Sequence, residues 1–283
     1  MIRLCAFADE YDTLLDVQIE GLQANGIHLI ELRSVDGINV ADLDEETAQR
    51  CYAKLSAAGI AVWSIGSPLG KVEISEDFEA YQQKIRHICR LANIFHTDKI
   101  RMFSFFHAYD ASEEVFEKLR IMVTIGREYG VSMYHENEKE IYGDTVERVL
   151  EIAKHVDGLK FVYDPANFVQ CGQECNDAMD KLFAMTSYFH IKDVDAATGA
   201  LVPAGYGSGQ IRQLVKRIQK DTVLTLEPHL AVFEGYNTID NTQMKHTFVY
   251  ENNHQAFNAA VDAMKAILLE NGYTETNGNF VKE

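Results

Sequence analysis

Residues 158–165 read Gly-Leu-Lys-Phe-Val-Tyr-Asp-Pro, and they show how this chain alternates between helix and strand. A glycine ends an amphipathic helical stretch, a short apolar run follows at once, and an acidic residue stands where that run ends. Glycine is favoured at such a helix end because a residue without a Cβ adopts the left-handed conformation at little cost. The same joint occurs at Gly26, Gly59 and Gly130, and we interpret all four as helix-to-strand connections.

Eight short apolar runs occur along the chain, and each is followed by a helical stretch. They cover residues 2–8, 28–32, 60–65, 99–103, 131–135, 160–163, 188–191 and 223–226. The runs are nearly continuous rather than alternating, as expected for parallel strands that are covered on both faces. Eight β/α units in 283 residues predict a single closed (β/α)8 TIM barrel of parallel strands with an outer ring of helices. An open Rossmann-type sheet is disfavoured because no Gly-x-Gly-x-x-Gly turn follows the first run.

The chain shows no linker, low-complexity segment or break in composition, so we expect one domain over residues 1–283. Apolar residues spaced by three or four over residues 78–95 and 257–268 predict two of the outer helices. The polar residues 273–283 are expected to form a loose C-terminal tail. Residues 228–252 lack strong periodicity, and a segment of this length is typical of a lid or of a contact in a homo-oligomer.

The composition is strongly acidic. The chain has 43 Asp and Glu residues against 26 Lys and Arg residues, a formal charge of −17 at pH 7. This charge disfavours binding to nucleic acid or to an anionic membrane surface. No apolar run approaches the roughly 18 residues of a membrane span, and Asp9 and Glu10 come too early for a signal peptide. We therefore expect a cytoplasmic protein that acts on a small molecule.

Acidic and imidazole side chains stand at the carboxyl ends of four consecutive predicted strands. They are Glu136, Asp164, His190 and Glu227, at intervals of 28, 26 and 37 residues. These ends meet on one face of a barrel, so the side chains are expected to converge. Buried like charges repel unless a cation lies between them, and this mostly oxygen set suits Mn²⁺ or Mg²⁺ and also accepts Co²⁺ or Zn²⁺. The alternative for each residue is a helix cap or a solvated charge, as for Asp164 before Pro165.

The same strand ends resemble those of the xylose isomerase-like TIM barrels, and within them the sugar phosphate isomerase/epimerase family. The motifs that carry the resemblance are His-Glu-Asn-Glu at 135–138, Asp-Pro-Ala-Asn at 164–167, His-Ile-Lys-Asp at 190–193, Pro-Ala-Gly-Tyr-Gly-Ser-Gly at 203–209 and Leu-Glu-Pro at 226–228. The resemblance implies that Glu136, Asp164, His190 and Glu227 hold one divalent metal, and that the two glutamates also move protons. Related members include ketose 3-epimerases, hydroxypyruvate isomerases, inosose dehydratases and endonuclease IV repair enzymes.

One position departs from that family. Many members have a histidine where this chain has Asn167, and an amide is a poor ligand for a second metal. A zinc cluster is therefore disfavoured. Together with the negative charge and the lack of a basic stripe, this also disfavours an endonuclease IV-like nuclease. Asn167 is a candidate for binding a substrate hydroxyl.

The site and the resemblance together predict a metal-dependent sugar isomerase or epimerase. Such a reaction removes a proton beside a carbonyl, the metal stabilises the enediolate, and a carboxylate acts as the base. Glu136 and Glu227 lie on strands three units apart and are the predicted acid/base pair. If a β-hydroxyl leaves instead, the same site gives an inosose-type dehydratase. A third alternative is a non-catalytic barrel that binds a sugar or a metal for a regulatory partner.

Strand alternation points to further residues of the same cleft. Lys192 lies two residues after His190, so it is a candidate catalytic group that neutralises an alkoxide or a leaving hydroxyl. Its alternative is a solvated lysine at a strand end. Glu138 and His229 likewise lie two residues after Glu136 and Glu227, so they are expected to bind substrate or to orient a ligand. His229 is expected to orient Glu227.

The second and third strands add two candidates for substrate binding. Arg33 at the predicted mouth binds a substrate oxygen or pairs with Glu31. Trp63, the single tryptophan, is expected to end its strand and stack on a sugar face, with a core position as the alternative.

A glycine-rich loop precedes the predicted helix that begins near Ile211. Gly205, Gly207 and Gly209 give it the flexibility of a phosphate cradle at a helix N-terminus. However, no arginine or lysine lies inside the loop, and glycines also simply allow a chain to bend. We therefore favour a neutral sugar or cyclitol over a sugar phosphate as the substrate.

Overall fold

The structure, a computed structural model, describes residues 1–233 and 245–282. Parallel strands alternate with helices along the chain. The barrel strands are β1 (Ile2–Ala6), β2 (Leu29–Leu32), β3 (Ala61–Gly66), β4 (Lys99–Met102), β5 (Ser132–Glu136), β6 (Lys160–Tyr163), β7 (Thr186–Ile191) and β8 (Thr222–Leu226). The helices are α1 (Leu15–Ala24), α2 (Glu45–Ala57), α3 (Phe78–Ile94), α4 (Ser112–Glu128), α5 (Val146–His155), α6 (Pro165–Gln170), α7 (Cys175–Leu182), α8 (Ile211–Arg217) and α9 (Asn253–Glu270).

The sheet is a closed barrel. Each strand pairs with the next one along the chain, and β8 pairs in parallel with β1. The closing register runs from Ile2 opposite Thr222 to Ala6 opposite Leu226. Each predicted apolar run forms a strand whose ends differ from the prediction by no more than two residues. The predicted α/β TIM barrel is therefore confirmed.

The outer helices bury one apolar stripe each, and α3 shows how. Its predicted stripe places Ile85, Ile88 and Ala92 in the main hydrophobic core. The carboxylate of Asp77 caps the helix by accepting hydrogen bonds from the first-turn amides of Glu79 and Ala80. Burial of each large aliphatic side chain contributes about 1.5–3 kcal/mol, so the stripe fixes the helix against the strands.

The inside of the barrel has an apolar floor beneath a polar layer. A small separate hydrophobic cluster is formed by strand residues that precede the carboxyl ends, and its members are Cys5, Leu29, Tyr134, Val162, Tyr188 and Val223. Side chains two residues apart on a strand point the same way. The next inward positions after Tyr134, Val162 and Tyr188 are therefore Glu136, Asp164 and His190. The strand period thus places these polar groups together directly above the apolar floor.

The C-terminal residues complete the barrel wall. Strands β9 (Thr274–Thr276) and β10 (Asn279–Val281) form an antiparallel hairpin. Strand β10 then pairs antiparallel with the start of β1, where Ile2 lies opposite Phe280. The Phe280 side chain is only 1% exposed, so this hairpin is packed into the fold.

The expectation of a loose tail over residues 273–283 is therefore wrong. Asn277 and Gly278 form the hairpin turn, both with positive φ (49° and 72°). Asn-Gly is favoured in two-residue hairpin turns, so this pair could have indicated the hairpin from the sequence alone. The segment is polar because β9 is exposed to solvent, while Tyr273 and Phe280 are the residues that it buries in the core.

The segment 228–252, expected to form a lid or an oligomer contact, lies partly outside the described residues. On its N-terminal side, Leu230 and Phe233 are buried. On its C-terminal side, Asn252 caps α9 by accepting a hydrogen bond from the amide of Gln255. None of the helices in the described part of the chain is long and apolar enough to cross a membrane.

Candidate active site

The four predicted metal ligands converge at the carboxyl ends of β5 to β8. Glu136, Asp164, His190 and Glu227 are all buried, and one ligand atom from each lies within 4.8 Å of the others. Nδ1 of His190 is 2.9 Å from Oε1 of Glu136 and 3.3 Å from Oε2 of Glu227. In the structure these four side chains form one group, the ligand cluster, whose role as a metal site stays a prediction.

The chemistry of this cluster fits a divalent cation. Oδ2 of Asp164 and Oε2 of Glu227 are buried and form no hydrogen bond of regular geometry with the described residues. Their nearest cationic neighbours are the Lys192 ammonium, 3.1 Å from Asp164, and Nδ1 of His190, 3.3 Å from Glu227. Buried carboxylate oxygens with unused acceptor capacity are costly, and a metal ion between them removes that cost. Three carboxylates with one imidazole form a mostly hard donor set that suits a divalent metal ion.

Asp164 both caps a helix and faces the other predicted ligands, which the sequence analysis treated as alternatives. Its Oδ1 accepts a 3.0 Å hydrogen bond from the amide of Asn167 and so caps α6, which begins at Pro165. Its Oδ2 faces the ligand cluster, 3.1 Å from the ammonium of Lys192. The cap fixes the carboxylate, so that its second oxygen is held in place for a cation.

The backbone at Asp164 is anchored by a residue that sequence reasoning missed. Asn137 accepts a hydrogen bond from the amide of Asp164 and donates one to its carbonyl, each 2.9 Å long. The carbonyl of Asn137 in turn accepts a 2.9 Å hydrogen bond from Nδ2 of Asn167. Asn167, predicted to bind substrate, is therefore placed to lock the loops after β5 and β6. Only its buried Oδ1 has no hydrogen-bond partner among the described residues.

Mutual charge effects shift the pKa values of the cluster in opposite directions. Burial raises the pKa of Asp164 to about 7, although the Lys192 ammonium opposes the change. Burial also disfavours charge on Glu227, but Lys192 and His190 outweigh it and hold the pKa of Glu227 well below its usual range. Burial lowers the pKa of His190, yet Glu136 and other carboxylates raise it well above its usual value. Without a metal, the cluster therefore retains protons that a cation would displace.

Glu31 supports His190 from the side opposite the ligand cluster. Its Oε2 lies 3.2 Å from Nε2 of His190, and its two oxygens also accept hydrogen bonds from Tyr188 and Thr225. Such a contact fixes the orientation of a ligating imidazole, which here leaves Nδ1 facing Glu136. The sequence analysis treated Glu31 only as a partner for Arg33, although it lies at the end of a barrel strand like the ligands.

Arg33 neutralises acids from two other strands. It forms two hydrogen bonds with Asp9, of 2.8 and 2.9 Å, and one of 3.0 Å with Oε1 of Glu227. Its alternative pairing with Glu31 is wrong, because the described contacts of Arg33 go to Asp9, Glu227 and Glu10. Burial raises the pKa of Glu10 to about 8 despite the nearby guanidinium. Asp9 and Glu10, which directly follow β1, were not identified as site residues.

A second buried arginine stands beside the other glutamate. Nε of Arg101 is 3.3 Å from Oε2 of Glu136, and its guanidinium stacks 4.6 Å from the centre of the Phe103 ring. Its Nη1 donates a 3.1 Å hydrogen bond to the carbonyl of Ser67. The sequence analysis missed Arg101, whose inward direction follows from the strand period of β4.

Lys192 points into the cleft, as strand alternation predicts. Its Nζ lies 3.1 Å from Asp164 and 3.8 Å from Glu227. Glu138 is also buried and forms a 3.0 Å ion pair with Lys71 at the edge of the cleft. Burial disfavours the charge of Glu138, but Lys71 and Lys192 lower its pKa below the usual value.

His229 lies against Glu227, the ligand that it was expected to orient. Its Nε2 is 3.6 Å from Oε1 of Glu227 and 3.4 Å from Oε1 of Glu10. The backbone amide of His229 donates a 2.8 Å hydrogen bond to Glu10. With φ at 47°, His229 adopts a left-handed conformation, which is uncommon for a residue with a Cβ.

The expectation that Trp63 stacks on a sugar is wrong. Strand β3 continues for three residues beyond it, so its indole lies on the barrel floor. The charged groups of Arg3 and Lys99, near the starts of β1 and β4, lie over the ring at 5.3 and 4.5 Å from its centre. Trp63 is therefore a core residue, which was the alternative, because the four predicted metal ligands lie nearer the carboxyl ends of the strands.

The glycine-rich loop holds a carboxylate of the chain itself. Asp193 accepts hydrogen bonds from the amides of Gly205, Gly207 and Gly209, at 2.8, 3.0 and 2.8 Å. Glycine is required at 207 because a Cβ there would lie 2.3 Å from Oδ1 of Asp193. The amides that were considered for a phosphate are therefore used internally.

The profile of the family described as xylose isomerase-like TIM barrel matches residues 19–266 of this sequence. The chain belongs to this family. The resemblance carried by the strand-end motifs is thereby confirmed, and membership of the xylose isomerase-like barrels supports a catalytic role.

Relatives within the xylose isomerase-like barrels include enzymes of two reaction types. A 3-dehydroshikimate dehydratase from Bacillus anthracis is 25% identical over 180 residues, which are 61% of this chain and 64% of the relative. The chain thus matches less than two thirds of that relative's length. The structure is also similar to that of the probable 3-DHS dehydratase AsbF from Bacillus anthracis, with 20% identity, a TM-score of 0.70 and coverage of 94% of this chain and 99% of that one. An L-ribulose 3-epimerase structure gives 16% identity, a TM-score of 0.70 and coverage of 95% and 97%. At these identities the structural likeness shows a shared fold.

Proposed function

We propose that the protein is a divalent-metal-dependent isomerase or epimerase of a sugar or a related polyhydroxylated ketone. The observation that carries this proposal is the convergence of Glu136, Asp164, His190 and Glu227 within 4.8 Å. Two of their buried oxygens form no hydrogen bond of regular geometry with the described residues, so they retain acceptor capacity that a divalent cation would use.

A divalent metal held by these four residues would supply Lewis acidity that stabilises negative charge on a carbonyl oxygen of the substrate. The hard donor set favours Mn²⁺ or Mg²⁺. The protein's own residues then have to position the substrate and to move a proton at the neighbouring carbon.

Glu136 and Glu227 are the proposed acid/base pair. One oxygen of each lies within 3.3 Å of Nδ1 of His190, so the two carboxylates approach the same point. Their other oxygens face Arg101 and Arg33, at 3.3 and 3.0 Å. These contacts fix the positions of both carboxylates, as a pair of groups that exchange protons with the substrate requires. Epimerisation requires two such groups, because the proton leaves one face of the carbon and returns to the other.

An inosose-type dehydratase is the second candidate, and Lys192 favours it. The Lys192 ammonium is buried beside Asp164 and Glu227, and these carboxylates outweigh burial and hold its pKa well above the usual value. It is therefore a proton donor suited to a leaving hydroxyl. The similarity to a 3-dehydroshikimate dehydratase supports the same reaction type.

Turnover in deuterated water tests the two candidates with the Mn²⁺-loaded protein. L-Ribulose and 3-dehydroshikimate are the first substrates, followed by a sugar and cyclitol panel. An isomerase or epimerase returns an unchanged or isomeric sugar that carries deuterium, whereas a dehydratase produces a new unsaturated carbonyl absorption. Glu227→Gln is expected to abolish turnover, and Glu270→Gln, on an exposed helix face, is the matched control. Absence of any turnover or exchange across the panel would favour a non-catalytic sugar-binding barrel.

A further inference from the structure

A small pocket beside the ligand cluster has a cationic wall. Its charged lining residues are Arg33, Lys71 and Arg101. Each of them pairs on its other side with a carboxylate that is not among the described lining residues, namely Glu227, Glu138 and Glu136. The pocket is small, with a cavity volume of about 20 Å³, and it opens to solvent. The two arginines connect it to the cluster, since each also contacts one of the ligand glutamates. A group bound in this pocket is therefore separated from Glu136 and Glu227 only by an arginine side chain.

The polar groups of this wall are almost all hydrogen-bond donors. Arginine and lysine donate hydrogen bonds and accept none. Asn39 also lines the pocket, and its side-chain oxygen already accepts a hydrogen bond from the amide of Ala41. A sugar hydroxyl both donates and accepts, so a neutral sugar would leave its donors poorly matched here. An acceptor-only group such as a carboxylate matches this wall.

Arg101 retains hydrogen-bonding capacity for such a group. Its guanidinium makes one hydrogen bond within the described residues, from Nη1 to the carbonyl of Ser67, and its Nε faces Oε2 of Glu136 at 3.3 Å, so Nη2 keeps its donor capacity. The group is fixed against Phe103 at 4.6 Å, and the ammonium of Lys71 lies 4.4 Å from the centre of the same ring. The two cations are thus preorganised side by side, which reduces the cost of ordering them when an anion binds.

We infer that the substrate carries a carboxylate that Arg101 and Lys71 bind in this pocket, while its carbonyl end reaches the ligand cluster. The inference rests on the proposed function and narrows its substrate to a polyhydroxylated keto acid. A phosphate has the same acceptor chemistry. The planar guanidinium matches a planar carboxylate in a bidentate contact, and the glycine loop suited to a phosphate is filled by Asp193.

Calorimetric binding to the Mn²⁺-loaded protein tests this subsite with two matched pairs of probes. One pair is 3-dehydroshikimate and its methyl ester, and the other is D-fructuronate and D-fructose. In at least one pair the acid is expected to bind about 10- to 100-fold more tightly than its neutral partner, as for a charge-assisted contact. Lys71→Met and Arg101→Gln should reduce that ratio to nearly one, and Lys71→Arg should retain it. Lys54→Met, which removes the same charge from an exposed position, is the control.

Three results would overturn the inference. One is equal binding of acid and neutral partner in both pairs, and another is a ratio that Lys71→Met and Lys54→Met change alike. The third is tighter binding of inorganic phosphate than of either acid, which would assign the pocket to a phosphate. The metal content of each variant shows whether lost binding reflects lost metal.

The two proposals fail in different ways. Turnover of the neutral sugar but not of the acids would leave the proposed isomerase standing and remove the carboxylate subsite. Preferential binding of the acids through Lys71 and Arg101, without turnover of any probe, would support the subsite and count against the proposed reaction.

Discussion

Nη1 of Arg33 lies 3.0 Å from Oε1 of Glu227, which joins residues 194 positions apart in the sequence. The contact links the loop after the second barrel strand to the end of the last one. Arg33 also holds Asp9, beyond the first strand, through two hydrogen bonds. One buried guanidinium therefore neutralises carboxylates contributed by both strands that close the barrel.

Replacing Arg33 should destabilise the whole barrel. Arg33→Met leaves the buried Asp9 and Glu227 without their cation, and breaking a buried ion pair from one side costs about 3–5 kcal/mol. Urea unfolding of the metal-free protein measures this loss. Arg50→Met, which removes an exposed i,i+4 pair with Glu46, should cost less than about 1 kcal/mol. Equal losses for the two variants would contradict the assigned role.

Metal affinity should increase with pH across neutrality. Burial raises the pKa of Asp164 to about 7, and the carboxylates around His190 also hold that imidazole protonated. A divalent ion binds the deprotonated forms, so each binding event releases protons, and affinity falls as the pH drops below about 7. Titration calorimetry in buffers with different ionisation enthalpies counts the released protons. An affinity that is constant from about pH 6 to 8 would show that these groups are not the ligands.

Lys192 should affect the rate more than substrate binding if it donates a proton. Lys192→Met is expected to lower kcat about 100-fold or more while changing KM little. Lys181→Met, on the surface of α7, is the control. The metal content of both variants is measured alongside the kinetics. A loss of metal that accounts for the whole decrease would assign Lys192 to charge balance alone.

The carboxylate of Asp193 should stabilise the loop over residues 203–209. Asp193→Asn replaces an acceptor of several amide hydrogen bonds with a partial donor, and we expect a loss of about 2–4 kcal/mol. Gly207→Ala should have a similar effect, since its Cβ would lie 2.3 Å from Oδ1 of Asp193. Thermal unfolding and limited proteolysis of the loop detect both losses. Asp262→Asn, at an exposed position of α9, is the control, and an equal effect there would count against this account.

The C-terminal hairpin should contribute directly to barrel stability. Phe280→Ala removes a buried ring that lies opposite Ile2, with an expected cost of about 3–5 kcal/mol. Its neighbour Val281 is 42% exposed, so Val281→Ala should cost less than about 1 kcal/mol. The free energies of unfolding of the two variants provide the comparison. A difference below about 1 kcal/mol would mean that the hairpin is peripheral to the fold.

The barrel could be predicted because its signals are local. A glycine followed by an apolar run marks four of the helix-to-strand joints, and Gly158 before Leu159 shows it in adjacent residues. The convergence of Glu136, Asp164, His190 and Glu227 could also be predicted, because the barrel topology converts a position at a strand end into a position in space. Strand parity likewise placed Lys192 in the same cleft, where the structure shows it beside Asp164.

The ion pairs around the cluster could not be derived in the same way. Arg33 has several acids within a few residues of a strand end, and the sequence does not show which of them it reaches. Trp63 was expected at the end of its strand, but β3 continues for three residues beyond it and its ring lies on the floor. The depth at which a strand residue lies in the barrel is set by packing between layers, which a single sequence does not record.

The position of Trp63 gives the protein an internal optical reporter. It is the only tryptophan in the chain, and its ring contacts Tyr188, whose own ring packs against His190. Its emission should therefore respond to occupancy of the ligand cluster as well as to unfolding. Both events can be followed in the native protein by intrinsic fluorescence, without attaching a dye.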